Sequence, residues 1–365
     1  MTLTIVSKSP AVSPVVTETS ISLADVAPWD RYHVAFSPEE SVARLWSVFG
    51  IDATRDQIFS GGAREPDLEN PSDRTAVSWL RRMATDSDRG LRERLFPSAA
   101  TLAEISGLAE IAPNFAGVLQ VVRTAVAAAL HTTTPLRLPP LLLLGAPGIG
   151  KSFIANRLAK ALGTTITRVD FAGATDLSPL GGSHRVWRGA DVGCVARAMI
   201  SSKCASPIFL LDEVDKASRL SDGADPTAVL HSLLEVDQAR HFRDECLETH
   251  FRADECLWVA TANEITSMPR TILDRFLIID VAPPSADQMR IIVRTLFVEI
   301  AGGRFPGWFT DPVSDDVVDR IRSVHPRRAR RIIDLACQTA AAAQRTTVTT
   351  WDVATAERLL GGTRG

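Results

Sequence analysis

The octapeptide Gly145-Ala-Pro-Gly-Ile-Gly-Lys-Ser152 follows directly on the apolar run Leu141-Leu-Leu-Leu144, and no other stretch of the chain constrains its fold as tightly. Four large apolar residues bounded by glycine read as a short strand buried on both faces. The glycines let the backbone turn sharply with its amides pointing inward, and a helix starting near Lys151 adds the positive end of its dipole. Strand, turn and helix together form a phosphate cradle from Gly145, Ala146, Pro147, Gly148, Ile149, Gly150, Lys151 and Ser152. In such a P-loop, Lys151 reaches the β- and γ-phosphates and the Ser152 hydroxyl ligates Mg²⁺, so ATP and Mg²⁺ are the expected cofactors. The competing reading is a glycine turn that holds no ligand.

A strand feeding a phosphate loop belongs in a doubly wound α/β sheet, and the downstream pattern agrees. Strands are expected at Ile166–Phe171, Ile208–Leu211, Leu257–Thr261 and Leu277–Val281, with helices at 152–162 and 192–201 between them. Several of these runs are continuously apolar, which implies a mostly parallel sheet covered on both faces. Beyond Pro283-Pro284 only helical patterns remain, at 286–301, 315–324, 327–344 and 350–360, so a domain boundary falls at the proline pair. Upstream, residues 1–30 lack a steady period and read as a mobile tail. Residues 31–100 read as a small helical region that packs or docks: a helix from Ser37-Pro-Glu-Glu40 through Val42, Leu45, Trp46 and Phe49, a loop over 59–66, and a second helix over 75–83. A further amphipathic helix spans 114–130. The resulting division is 1–30, 31–100, 101–283 and 284–365.

At 365 residues, with 45% apolar and 23% charged residues, the chain can bury its core without disulfides. Its five cysteines are an odd number without a CxxC pair, which points to reduced thiols and away from zinc. The longest apolar runs are too short to cross a bilayer and the N-terminus has no signal pattern, so the expectation is a cytoplasmic protein without membrane contact. A net charge of −3 gives no global pull toward nucleic acid.

The second chemical element is Ile208-Phe-Leu-Leu-Asp-Glu-Val-Asp-Lys216, an apolar strand ending in paired carboxylates. In a P-loop protein this is the Walker B arrangement: Asp212 at the strand tip holds Mg²⁺ through its water shell, and Glu213 polarises the attacking water. The alternative is a solvated acidic turn. Asp215 and Lys216 read as surface or structural charges. Leu257-Trp-Val-Ala-Thr-Ala-Asn263 ends in an amide where doubly wound sheets place their ligands, so Asn263 either bonds the γ-phosphate or lytic water, or simply forms a turn.

With these motifs in this order the chain resembles an AAA+ ATPase. Its segments Leu233-Leu-Glu-Val236 and Phe242 through Asn263 are most similar to the ATPase module of Lon-type proteases, the likeness covering about residues 100–362. The resemblance implies ordinary strand and loop, not a metal site, for the His- and Cys-bearing stretch 241–256. It implies that Arg275, in Ile272-Leu-Asp-Arg275, is an arginine finger reaching a neighbouring subunit's γ-phosphate, with Arg270 a second candidate; a salt bridge within its own domain is the alternative. Arg327, in His325-Pro-Arg-Arg-Ala-Arg-Arg331, matches the lid arginine that senses nucleotide. Here the chain departs from the family, carrying His325 and Arg330 where glycine and glutamate are usual. Trp187, in Ser183-His-Arg-Val-Trp-Arg-Gly189, matches the aromatic of a pore loop that grips polypeptide, and Arg188 replaces the usual aliphatic residue; Trp187 packed in a core is the alternative.

The resemblance thus implies an ATP-hydrolysing ring, a homohexamer, that unfolds or disassembles protein targets. Lon carries its Ser-Lys peptidase after the lid, whereas this sequence ends at Gly365, so the expectation is a remodeller without its own protease. Two other readings stay open. One is a nucleic-acid-directed AAA+ machine, of loader or defence type, using Arg188 or the arginines near 327; the other is a slow nucleotide-gated scaffold.

Overall fold

The computed structural model describes residues 3–6, 18–21, 44–50, 69–172, 178–184, 187, 189–217 and 229–361. The strands are β1 (Leu3–Val6), β2 (Glu18–Ile21), β3 (Leu45–Ser47), β4 (Leu91–Glu93), β5 (Leu141–Leu144), β6 (Ile166–Asp170), β7 (Ile208–Asp212), β8 (Phe242–Asp244), β9 (Thr249–Phe251), β10 (Leu257–Ala262) and β11 (Leu277–Asp280). The longer helices are α1 (Pro71–Ala84), α2 (Ala99–Ile111), α3 (Ala116–Thr132), α4 (Lys151–Leu162), α5 (Cys194–Ser201), α6 (Ala286–Arg304), α7 (Asp315–Ile321), α8 (Pro326–Ala342) and α9 (Thr350–Leu359).

Five strands form one parallel sheet in the order β11-β5-β10-β7-β6. Because side chains alternate along a strand, each apolar run feeds both faces. Leu141, Leu143, Ile208, Leu210, Leu257 and Val259 pack into one core with α2, α3 and α4. Leu142, Phe209, Leu211, Trp258 and Ala260 pack into the other, with α5 and with Val48, Phe49, Ala76, Leu80 and Met83 from the first hundred residues. The doubly wound sheet read from the sequence is therefore present, and its second face is roofed partly by the N-terminal segment.

Two expectations about the first fifty residues need correction. The helix proposed over 37–49 begins outside the described residues, but Leu45–Ser47 is a strand, paired antiparallel with β4. Tertiary packing overrides helical spacing there: the Trp46 ring lies between the guanidiniums of Arg94, at 4.4 Å, and Arg252, at 4.0 Å, while Val48 and Phe49 enter the core. The tail proposed over 1–30 contains the antiparallel pair β1–β2. Helix α2 was unforeseen, and it begins with a reciprocal Ser98–Thr101 capping box. The loop expected over 59–66 lies outside the described residues.

One segment, Pro113–Thr132, is by length and composition apolar enough to cross a membrane, contrary to the expectation that no run is. Val118, Leu119, Val122 and Val126 on it are buried in the same core as Ile105 and Leu141, as in a core helix.

After β11 the chain caps α6 with Ser285 and Gln288 and becomes wholly helical. Helices α6 to α9 enclose a core of their own around Val293, Phe297, Ile321, Ile332 and Val353.

Candidate active site

The carboxyl ends of β5, β7 and β10 lie side by side, so the segments leaving them converge. Gly145 ends β5 under tight constraint: a Cβ there would stand 2.4 Å from the Val281 carbonyl oxygen. Gly148 adopts φ +81°, and an added Cβ would sit 3.2 Å from His325 Nδ1. The turn then enters α4 at Lys151.

Lys151 is 8% exposed, and its Nζ donates to the carbonyls of Gly145 and Ala146 and, at 2.9 Å, to Asn263 Oδ1. Burial holds the ammonium below its usual pKa, against the pull of Asp215, Asp212 and Glu213; the Arg327 guanidinium adds to the lowering. Lysine and amide from distant segments are thus already joined where a γ-phosphate would be received.

Asp212, 4% exposed at the tip of β7, gathers three donors. Ser152 Oγ lies 3.0 Å from its Oδ2, Thr261 Oγ1 lies 2.5 Å from its Oδ1, and Arg168 Nη2 pairs with Oδ2 at 2.7 Å. A serine hydroxyl and a carboxylate in contact at the cradle's edge are hard oxygen donors and fit Mg²⁺. Glu213 follows with φ 56°, a left-handed backbone uncommon for a side chain of its size, and its amide donates to Thr261 Oγ1 at 3.0 Å. That turn swings the Glu213 side chain to the wall of the cavity.

The cavity has a volume of about 330 Å³. Its floor is the phosphate cradle, and Ile111, Phe115, Ile292 and Leu296 give it an apolar wall. The helical layer closes one side: the Arg327 amide donates to the Gly148 carbonyl at 3.2 Å, and the Arg327 and Arg330 side chains line the opening. Arg157 of α4 and Arg330 of α8 both pair with Glu299 of α6, a second tie between cradle helix and helical layer.

The P-loop residues, Asp212, Glu213, Asn263 and Arg327 therefore meet in one place. Arg275 does not join them; its Nε pairs with Glu235 Oε1 at 3.0 Å. Arg270 is exposed. Trp187 is 71% exposed, so its alternative as a core residue is excluded, while Arg188 lies outside the described residues. Asp215 corrects the surface reading: its side chain is wholly buried, neither carboxylate oxygen has a hydrogen-bond partner, and Lys216 Nζ stands 3.5 Å away. Cys246 and Cys256, in the stretch with metal-capable side chains, are core residues, and no group of three or more such side chains gathers among the described residues.

Sequence reasoning missed Thr261, Arg168 and the apolar wall. Thr261 was within reach, because a residue two before Asn263 on the same strand shares its face. Arg168 was not, since its meeting with Asp212 depends on β6 lying beside β7 in the observed register.

A strand-borne phosphate cradle with acidic and amide tips on the neighbouring parallel strands defines a P-loop nucleotide-binding domain. Residues 141–283 match the family described as "ATPase family associated with various cellular activities (AAA)", and this part of the chain is similar to a segment of Lon proteases. The chain is 38% identical over 150 residues to Lon protease of Bacillus thuringiensis (strain Al Hakam), covering 41% of this chain and 19% of that protein. It is 36% identical over 150 residues to Lon protease 1 of Bacillus subtilis (strain 168), with the same coverage of 41% and 19%. The chain thus spans about a fifth of the length of the curated relatives it matches. Among solved structures, the Thermotoga maritima RuvB K64R mutant aligns over 67% of this chain and 69% of its own with TM-score 0.45 and 15% identity.

Proposed function

We propose that the protein is an ATP-driven remodeller that works as a ring of six copies, in the manner its Lon-like ATPase region implies, and pulls on polypeptide through Trp187. In this reading residues 101–283 bind and hydrolyse ATP and residues 284–365 form a lid. Lys151 and the amides of the cradle hold the phosphates, and Mg²⁺ held by Ser152 and Asp212 supplies charge neutralisation on them. Glu213 orients the water that attacks the γ-phosphate, and Asn263 fixes Lys151 or that water. Arg275 leaves Glu235 to reach the site of the next subunit, and Arg327 couples lid angle to nucleotide.

The observation that carries the reading beyond ATP turnover is Trp187, a large aromatic side chain 71% exposed on the loop between β6 and α5. An indole turned to solvent costs apolar hydration that a bound partner would recover. Of the arginines that would favour nucleic acid, Arg327 and Arg330 line the nucleotide cavity and Arg328 Nη2 meets the Gly361 carbonyl at 3.4 Å, while Arg188 lies outside the described residues. The test is ATP turnover with and without unfolded casein. Casein should stimulate the unsubstituted protein and not Trp187→Ala, whereas equal stimulation of both removes Trp187 from the account.

A further inference from the structure

The loop that carries Trp187 is not a free arm. Its base is closed by Ser183 and Asp191: the Ser183 amide donates to the Asp191 carbonyl at 3.0 Å, and the Asp191 amide to Ser183 Oγ at 2.9 Å. Below that closure stand Gly182 and Gly193, and both face one side chain from another part of the fold, Asp244 at the end of β8.

Asp244 is fully buried, and its carboxylate is shared between two segments. Oδ2 accepts from the Gly193 amide at 2.8 Å. Oδ1 accepts from the amides of Cys246, at 3.0 Å, and Leu247, at 2.8 Å, which form the turn between β8 and β9. A Cβ on Gly182 would lie 2.9 Å from Oδ2 and 3.0 Å from Oδ1, so the loop approaches the carboxylate as closely as a bare backbone permits. The Glu245 amide adds a bond to the Gly181 carbonyl at 2.9 Å. A buried carboxylate is costly unless hydrogen-bonded, and here three amides from two segments meet that cost together.

We propose that Asp244 is a positioning residue that clamps the Trp187 loop to the β8–β9 hairpin, so that loop and hairpin move as one unit and present the indole at a fixed angle to a bound polypeptide. The inference rests on the reading of Trp187 given above. The hairpin continues through 252–256 into β10, whose end carries Asn263. The clamp therefore joins the exposed aromatic to the strand that enters the nucleotide site.

Asp244→Asn tests this selectively. Its remaining carbonyl oxygen can keep both bonds of the hairpin turn, while its amide nitrogen, a donor, then faces the Gly193 N–H and cannot accept from it. Amide hydrogen exchange at residue resolution should show Gly193 losing protection at least tenfold, with Cys246 and Leu247 within about threefold of their original values. In parallel, the casein concentration for half-maximal ATPase stimulation should rise about fivefold or more, with the rate at saturating casein falling less than twofold. Unchanged Gly193 protection overturns the clamp, and a loosened loop with unchanged half-maximal casein overturns its positioning role. If Trp187→Ala leaves casein stimulation intact, the polypeptide reading fails, and the exchange measurement still decides whether the clamp exists. Should Asp244→Asn not fold, the unsubstituted protein decides: Gly193 protection within tenfold of Cys246 and Leu247 supports the clamp, and free exchange at Gly193 beside a protected turn overturns it.

Discussion

Two ionic clusters flank the central sheet, built from similar side chains and opposite in character. At the carboxyl ends of the strands, Lys151, Asp212, Arg168, Ser152, Thr261 and Asn263 meet around a cavity. Toward the other end, Glu255 pairs with Arg94 and Arg137, and Asp254 with Arg240 and Arg252. The Trp46 ring sandwiched between Arg94 and Arg252 ties β3 to that second cluster. In the first cluster the groups open onto a space, where in the proposed reading a phosphate or a metal ion would take the place of their present partners. In the second the carboxylate side chains are completely buried, and Arg94 Nε, Arg252 Nε, Asp254 Oδ1 and Glu255 Oε2 lack hydrogen-bond partners. Arg137, Asp254 and Glu255 also line a cavity, of about 300 Å³, so what separates the clusters is that the carboxylate side chains of the second are sealed completely against their arginines.

Substitutions can break that contrast. The largest expected effect lies at the proposed finger: if Arg275 acts so, Arg275→Ala should lower ATP turnover by about 10³–10⁵-fold, as loss of a guanidinium on the transferring phosphate does. Mixing it with Lys151→Ala subunits should restore part of the rate if the finger acts between subunits, and no recovery in demonstrably mixed rings would place Arg275 in a structural role with Glu235. Next, Glu213→Gln should cut turnover by about 10²–10⁴-fold while ATP still binds, measured by nucleotide fluorescence; normal turnover removes Glu213 from water activation. At the opposite cluster the effect should move from rate to stability. Glu255→Ala leaves Arg94 without its buried partner and should cost about 3–5 kcal/mol in denaturant unfolding. ATP affinity of the folded fraction should change little, and a large affinity loss would dissolve the distinction drawn between the clusters.

The smallest effect concerns pH. Burial pushes Asp244 up to about 6, against the backbone bonds from Leu247, Gly193 and Cys246, with the neighbouring Glu245 carboxylate adding to the rise. The Cys194 thiol of α5, itself pushed up to about 12 by burial, also faces Asp244. A folded-state pKa above the unfolded value means a contribution that is full below the unfolded value near 4 and lost as pH rises through about 6. Unfolding free energy should therefore contain a component that declines between about pH 4 and 6, worth about 2–3 kcal/mol, and absent in Asp244→Asn. Identical pH profiles for the two proteins would show that Asp244 does not titrate in this way.

Much of the exchangeable cluster was legible in the sequence, because its members stand at ends of apolar strands or in a glycine-rich turn. Lys151, Ser152, Asp212, Glu213 and Asn263 were all named from such local signals, and all meet at the cavity. Arg168 lay hidden, since it depends on which strand neighbours β7. The fixed cluster was illegible for the same reason: Arg94 and Glu255 are far apart in the chain and belong to no motif. The misreading of Trp46 as helical has this cause too. Its spacing suited a helix, but two distant guanidiniums and the β4 pairing made a strand the better burial.

The sequence by itself determined what short-range physics encodes: continuously apolar strands that bury both faces, a glycine turn that lets amides converge, and capped helices after the proline pair. Tertiary structure alone decided what required distant segments to meet. It set Lys151 against Asn263, Arg168 against Asp212, Trp46 between two arginines, and Asp244 beneath Gly182 and Gly193. Each of these contacts depends on strand order and on close backbone approach, which no local pattern of residues specifies.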